Sequence, residues 1–288
     1  MTTALPDSEL ARLESRFAAR SVALPGGEVV SARECGAGGK GPVFVCLHGI
    51  GSGSASWLEA ALLLEGQGAR VIAWDAPGYG ESTPVLPAQP AAADYALRLQ
   101  GLVDALDLER FVLVGHSLGA ITAGHAARAG SSLASRISRL VLISPAAGYG
   151  AAGKEEAKER VRSQRLGTLK QEGIPAMAAR GDQRLLSANA CELSRQWVRW
   201  NMGRLNEAGY AQAVELLCGA DLLADLPPAV PAHVACGSLD VVTTPEACEK
   251  VAQRCGLPLE LVPGAGHASY VEQPWTVAAL LQREAAKA

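Results

Sequence analysis

From Pro42 onward, short apolar, β-branched runs alternate with stretches whose apolar residues recur at helical spacing. This is the pattern of βα units built around a mostly parallel sheet. Eight runs read as strands: 22–24, 28–34, 43–47, 71–74, 111–115, 140–144, 233–236 and 259–262. The first two, joined through Pro25-Gly26-Gly27, predict an antiparallel hairpin at a sheet edge. Helices are predicted over 57–65, 94–106, 118–129, 246–254 and 275–284.

The alternation breaks between Pro145 and Pro231, where an Arg-rich helical region replaces the expected next strand. Gly148, Gly150 and Gly153 mark its start, and Pro227, Pro228 and Pro231 its end. Residues 154–215 hold 11 Lys or Arg against 8 Asp or Glu, so the stretch carries +3 while the rest of the chain carries −6. The predicted division is a core formed by 1–145 and 226–288, with an inserted helical lid over 146–225.

Composition narrows the function classes. A chain of 288 residues with 49% hydrophobic content can fill one core and carry one insertion. A net charge of −3 without a basic run gives no reason to expect nucleic acid. No apolar run approaches the roughly 18 residues that span a bilayer, and residues 1–20 carry Asp7, Glu9, Arg12, Glu14 and Arg16 where a signal peptide would need an unbroken apolar stretch. Seven cysteines without C-x-x-C or Cys/His clustering argue against both a disulfide framework and a zinc site. A cytoplasmic protein with no metal or organic cofactor is expected, and its oligomeric state is left open.

The chemistry concentrates around Gly115-His116-Ser117-Leu118-Gly119, which lies directly after a predicted strand and before a predicted helix. That is the context a G-x-S-x-G nucleophile requires. Ser117 needs a base, and an acid to hold that base in the right tautomer; in this arrangement the chain order is Ser, then Asp or Glu, then His. Asp240 and His267 follow in that order, each in a loop just past a strand's carboxyl end. Asp221 and Asp225 are rival acids but fall before the strand, and His125 and His233 read as packing or surface residues. His48 reads as a brace for its own loop, and His116 as turned away from Ser117. Two backbone amides, those of Leu118 and of Ile50 in His48-Gly49-Ile50-Gly51, are candidates for an oxyanion hole.

With Asp75-Ala-Pro-Gly-Tyr-Gly-Glu-Ser82, these motifs resemble the capped α/β-hydrolase family from about Val22 to Leu281. The resemblance implies an α/β-hydrolase fold, with a mostly parallel eight-stranded sheet flanked by helices and an inserted helical lid. The elbow and Gly266-His267-Ala-Ser-Tyr-Val-Glu-Gln-Pro274 look like the 3-oxoadipate enol-lactonase and esterase branch. They imply a small-molecule ester or lactone substrate cleaved through an acyl-enzyme.

The C–C bond hydrolases of the family typically carry Trp after the catalytic His, where this chain has Ala268. C–C cleavage, a cofactor-free perhydrolase or haloperoxidase-like activity, and a non-turnover ligand receptor stand as the alternatives. In the lid, Met177, Trp197, Trp200 and Arg180 are the substrate-binding candidates, with Arg184, Arg195 and Arg199 as further partners for a substrate carboxylate.

Overall fold

The computed structural model describes residues 4–288; residues 1–3, part of the stretch read for a leader, lie outside the described residues. The chain opens with helix α1 (Asp7–Arg16) and the hairpin β1 (Ala19–Ala23) and β2 (Val29–Cys35). It continues through β3 (Val43–Leu47), α2 (Leu58–Glu65), β4 (Arg70–Trp74), α3 (Ala92–Ala105), β5 (Phe111–His116), α4 (Leu118–Ala127) and β6 (Ile137–Ile143). Four helices follow: α5 (Glu155–Ala179), α6 (Asp182–Leu185), α7 (Glu192–Gly203) and α8 (Glu207–Gly219). The fold closes with β7 (Ala232–Gly237), α9 (Pro245–Arg254), β8 (Leu259–Val262), α10 (Ser269–Glu272) and α11 (Pro274–Ala285).

The eight strands form one sheet in the order β1-β2-β4-β3-β5-β6-β7-β8, antiparallel at β1–β2 and β2–β4 and parallel from β4 to β8. Successive residues of the inner strands feed two different cores. Val45, Leu47, Leu113, Leu140 and Leu142 pack with α3, α4 and α9, while Phe44, Cys46, Val112, Val114 and Val141 pack with α1, α2 and α11. A strand buried on both faces reads as a continuous apolar run, which is why these strands were visible in the sequence.

From β3 the chain steps outward to β4, then returns to pair β5 on β3's other side. The direction of winding therefore reverses between β3 and β5, and the loops at their carboxyl ends flank a crevice, the usual ligand position in an open α/β sheet.

The structure corrects three expectations. Strand β1 starts at Ala19 rather than 22, because Ala19, Arg20 and Ser21 lie exposed on an edge strand and show no apolar pattern. Strand β6 starts at Ile137 rather than 140, its opening hidden by the partly buried Ser138 and Arg139. Helix α1 was not anticipated; its charged surface obscured a face on which Leu13 is fully buried ahead of Phe17. Its outer residues are tied down as well, with Arg12 on Glu59 and Arg16 on Glu65. Among the described residues, no helix is long and apolar enough to cross a membrane.

The α5–α8 region has a small apolar centre of its own, formed by Ile174, Met177, Tyr210, Val214 and Cys218. Helix α5 breaks at Gly173 (φ +72°), just ahead of Pro175. Much of the remaining order is polar: the buried Arg199 grips Asp182 with two bonds of 2.7 and 2.9 Å, and Arg195 adds a third at 3.2 Å.

Candidate active site

At the end of β5 the backbone turns abruptly. Ser117 sits at φ +52°, ψ −114°, a conformation that costs a non-glycine residue on the order of 1–3 kcal/mol, and α4 starts at the next residue. Close packing holds the turn in place. A Cβ at Gly119 would lie 2.5 Å from the Leu47 carbonyl oxygen, and one at Gly115 would lie 2.7 Å from Ala123 Cβ. The Ser117 carbonyl accepts from Ala120 and Ala146, both at 3.1 Å, and its N–H donates to Ile143 at 3.1 Å. Ser117 itself is 6% exposed, and its hydroxyl makes no hydrogen bond among the described residues.

The loops after β7 and β8 bring Asp240 and His267 together, with His267 Nδ1 2.8 Å from Asp240 Oδ2. The other carboxylate oxygen accepts the N–H groups of Val242 (2.7 Å) and Thr243 (3.0 Å). Thr243 Oγ1 lies 2.9 Å from Asp240 Oδ2 and 3.1 Å from His267 Nδ1. Burial opposes the charge on Asp240, but the His267 hydrogen bond, the His267 charge and the Val242 N–H outweigh it and bring the carboxyl down to about 2. The acid stays ionised and accepts from His267 Nδ1, which fixes the orientation of the ring.

His116, expected to turn away from Ser117, makes a contact of its own across the site. Its Nε2–H donates to the His267 carbonyl at 3.0 Å, and its ring lies 4.7 Å from the His267 ring and edge-on to Tyr270. Burial, followed by the neighbouring His267 charge, holds its pKa well below the ordinary histidine value. The neutral ring therefore ties the residue before Ser117 to the residue at the tip of the β8 loop. No local spacing signals this contact, because 151 positions separate the partners.

His48 braces its loop as expected, donating from Nδ1 to the Gly49 carbonyl (2.8 Å) and accepting the Ala76 N–H at Nε2 (3.0 Å). Burial lowers its pKa, in keeping with a neutral ring. Tyr79 OH fixes the Ile50 carbonyl at 2.8 Å. The loop lies against the serine, since a Cβ on Gly49 would meet Ser117 Cβ at 2.9 Å. Neither Ile50 N–H nor Leu118 N–H has an acceptor among the described residues. The serine turn and the loops around it thus carry a hydroxyl on a strained backbone, a carboxylate-oriented imidazole and two free amides. Such a set can move a proton off the hydroxyl and hold a developing oxyanion.

The rival acids lie elsewhere. Asp225 pairs with His125 at 2.9 Å, and Asp221 caps a short turn through the Leu223 N–H. His233 faces Glu260 and Glu284 at the start of β7. Met177 belongs to the apolar cluster on which Ile50 rests, and Met202 Cε would be 2.8 Å from a Cβ on Gly51. Trp197 is core, packed edge-on against the partly buried Trp200 at 5.6 Å. Trp200 carries Arg204 over its ring and lines a cleft with Ser52, Asp75 and Tyr79, a cleft that reaches none of Ser117, Asp240 or His267.

The arginines read as carboxylate binders are mostly occupied: Arg180 pairs with Glu172, Arg195 and Arg199 with Asp182, and Arg184 is exposed. Among the described residues, no group of three or more His, Cys, Asp or Glu side chains is placed to hold a metal ion.

Comparison with known proteins agrees with the fold. The chain matches the family model described as "Alpha/beta hydrolase family" over residues 44–279. It superposes on an enol-lactonase from Burkholderia xenovorans LB400 with a TM-score of 0.78 at 25% identity, covering 91% of this chain and 98% of the other. It also superposes on a thermophilic esterase from Thermogutta terrifontis, malate bound, with a TM-score of 0.80 at 25% identity, covering 93% and 98%. Among curated sequences, an epoxide hydrolase 3 from Siraitia grosvenorii is 41% identical over 86 residues, which is 30% of this chain and 27% of that protein. The chain spans roughly a third of the length of the curated relatives it matches. The chain belongs to the alpha/beta hydrolase family.

Proposed function

We propose that the protein is a serine hydrolase that cleaves a carboxylic ester or lactone of a small molecule through an acyl-enzyme. His267 takes the proton of Ser117 as its oxygen attacks the carbonyl, and the amides of Ile50 and Leu118 hold the oxyanion. Asp240 keeps His267 in the required tautomer and stabilises its charged form. His267 then returns the proton to the leaving alcohol, and water activated by the same imidazole releases the acid. The observation that carries this reading is the 2.8 Å contact between Asp240 and His267, on a loop that His116 fastens to the serine turn.

Residues 146–225 serve in this reading as the lid that shapes the acyl pocket, with Met177 in the cluster under Ile50 and Met202 against Gly51 among its apolar walls. The likeness to an enol-lactonase and an esterase supports ester or lactone chemistry. The test is a panel of activated esters and small lactones run with wild type and Ser117→Ala side by side. The variant is expected to lose at least about 10³-fold in kcat while its melting temperature stays unchanged. Full activity in a folded Ser117→Ala protein would end the assignment.

A further inference from the structure

The main chain around His267 is held at three successive residues, each time by a partner outside the loop. Gly266 N–H donates to Glu272 Oε2 at 2.8 Å, the His267 carbonyl accepts from His116 at 3.0 Å, and Ala268 N–H donates to the Leu185 carbonyl at 2.8 Å. Of these partners, Glu272 holds a second element at the same time. Its Oε2 also accepts the Ser187 N–H at 3.0 Å, and its Oε1 accepts the Ser187 hydroxyl. The two surfaces it joins are in contact, since a Cβ on Gly266 would come within 2.7 Å of Leu186 C and Ser187 N. Nearby, Ser194 of α7 donates to the Val271 carbonyl at 3.2 Å, one residue before Glu272.

We infer that Glu272 is a positioning residue whose carboxylate couples the seating of residues 185–187 to the placement of His267. A carboxylate suits the task because its two oxygens serve three donors at once. If residues 185–187 lift away, Ser187 leaves Glu272 and Leu185 leaves Ala268 in the same movement. The Leu185 tie on the His267 loop is then lost, and the carboxylate that holds Gly266 loses its anchor on the helical region. The imidazole is fully placed only while the helical region is seated on the loop, so closure over a bound substrate and assembly of the Asp240–His267–Ser117 set become one event. This inference rests on the assignment of His267 as the base.

The test compares the full chain with Glu272→Ala and Glu272→Gln. It reads kcat and KM on an activated ester, per site titrated with a fluorophosphonate, together with the low-field NMR signal of the proton between His267 and Asp240. Glu272→Ala is expected to lose roughly 10- to 100-fold in kcat, to change KM less than kcat, and to shift or broaden the low-field signal. Glu272→Gln keeps an oxygen that can accept both N–H groups and is expected within roughly threefold of wild type. If Glu272→Ala does not fold, Glu272→Asp, one methylene too short for the span, carries the same expectation.

A folded Glu272→Ala with unchanged kcat and an unchanged proton signal would overturn the inference and leave Glu272 a purely structural tie. Glu272→Gln as impaired as Glu272→Ala would overturn it too, by assigning the effect to charge. The proton signal is read without substrate. A wild type that cleaves no ester or lactone would therefore defeat the functional reading, while the signal still decides the role of Glu272.

Discussion

The sheet and the helical region over 146–225 are built on different physics. Inner strands of the sheet alternate between two extended apolar cores, and every residue of β5 is buried. The helical region has a five-residue apolar centre and leans on a buried ionic cluster, Arg199 and Arg195 on Asp182. Apolar burial is non-directional and tolerates small shifts, whereas a buried ion pair is strong only in one geometry and costly to break. The contrast describes a sheet platform carrying the site and a helical region whose internal order leans on a few specific polar contacts, while Leu186, Trp197, Val198, Ala213, Leu216 and Leu217 pack it into the two sheet cores.

The largest test of that contrast is Arg199→Ala, which leaves Asp182 buried without its main partner. A loss of about 3–5 kcal/mol is expected, read by urea denaturation. Hydrogen exchange should show protection falling first across 155–219 while β3 and β5 retain theirs. Simultaneous loss in both regions would instead make them one cooperative unit.

A second measurement probes the platform's own polar site. With its carboxyl held at about 2 in the folded state, below the ordinary Asp value of 3.8, Asp240 contributes stability that is present above pH 4 and is lost as pH falls through 2. The stability gap between wild type and Asp240→Asn should therefore be widest near neutrality and shrink by about 2 kcal/mol between pH 4 and pH 2. A gap that stays constant with pH would contradict the ionised pair.

The smallest effect is expected for Tyr79→Phe, which removes the bond fixing the Ile50 carbonyl. One neutral hydrogen bond is worth about 1 kcal/mol, so kcat should fall by up to about tenfold with little change in melting temperature. No change in kcat would show that the loop after β3 is held well enough by His48 alone.

Legibility in the sequence followed the same divide. The inner parallel strands and the serine turn are readable because each is signalled locally, by mostly apolar runs or by glycines flanking a serine, whereas the exposed opening of β1 carries no such signal. Asp240 and His267 could be placed because chain order and strand ends narrow the choices to a few residues. The misses depend on distance. The bond of His116 to His267 and the grip of Glu272 on Ser187 join residues 151 and 85 positions apart, and neither leaves a spacing pattern. In the helical region, Arg199 looked free to meet a substrate because nothing local shows that Asp182, 17 positions earlier, has claimed it.

The strained backbone at Ser117 has a practical consequence for separating chemistry from folding. Positive φ with strongly negative ψ is uncomfortable for every L-residue and easy for glycine. An alanine there keeps the same conformational burden and removes only the oxygen, so wild type and Ser117→Ala stand on equal thermodynamic footing. A glycine would remove oxygen and strain together, and any rate or melting difference it produced would confuse the two. At this position, the usual order of preference between the two smallest residues as a blank is a matter of dihedral angle before it is one of size.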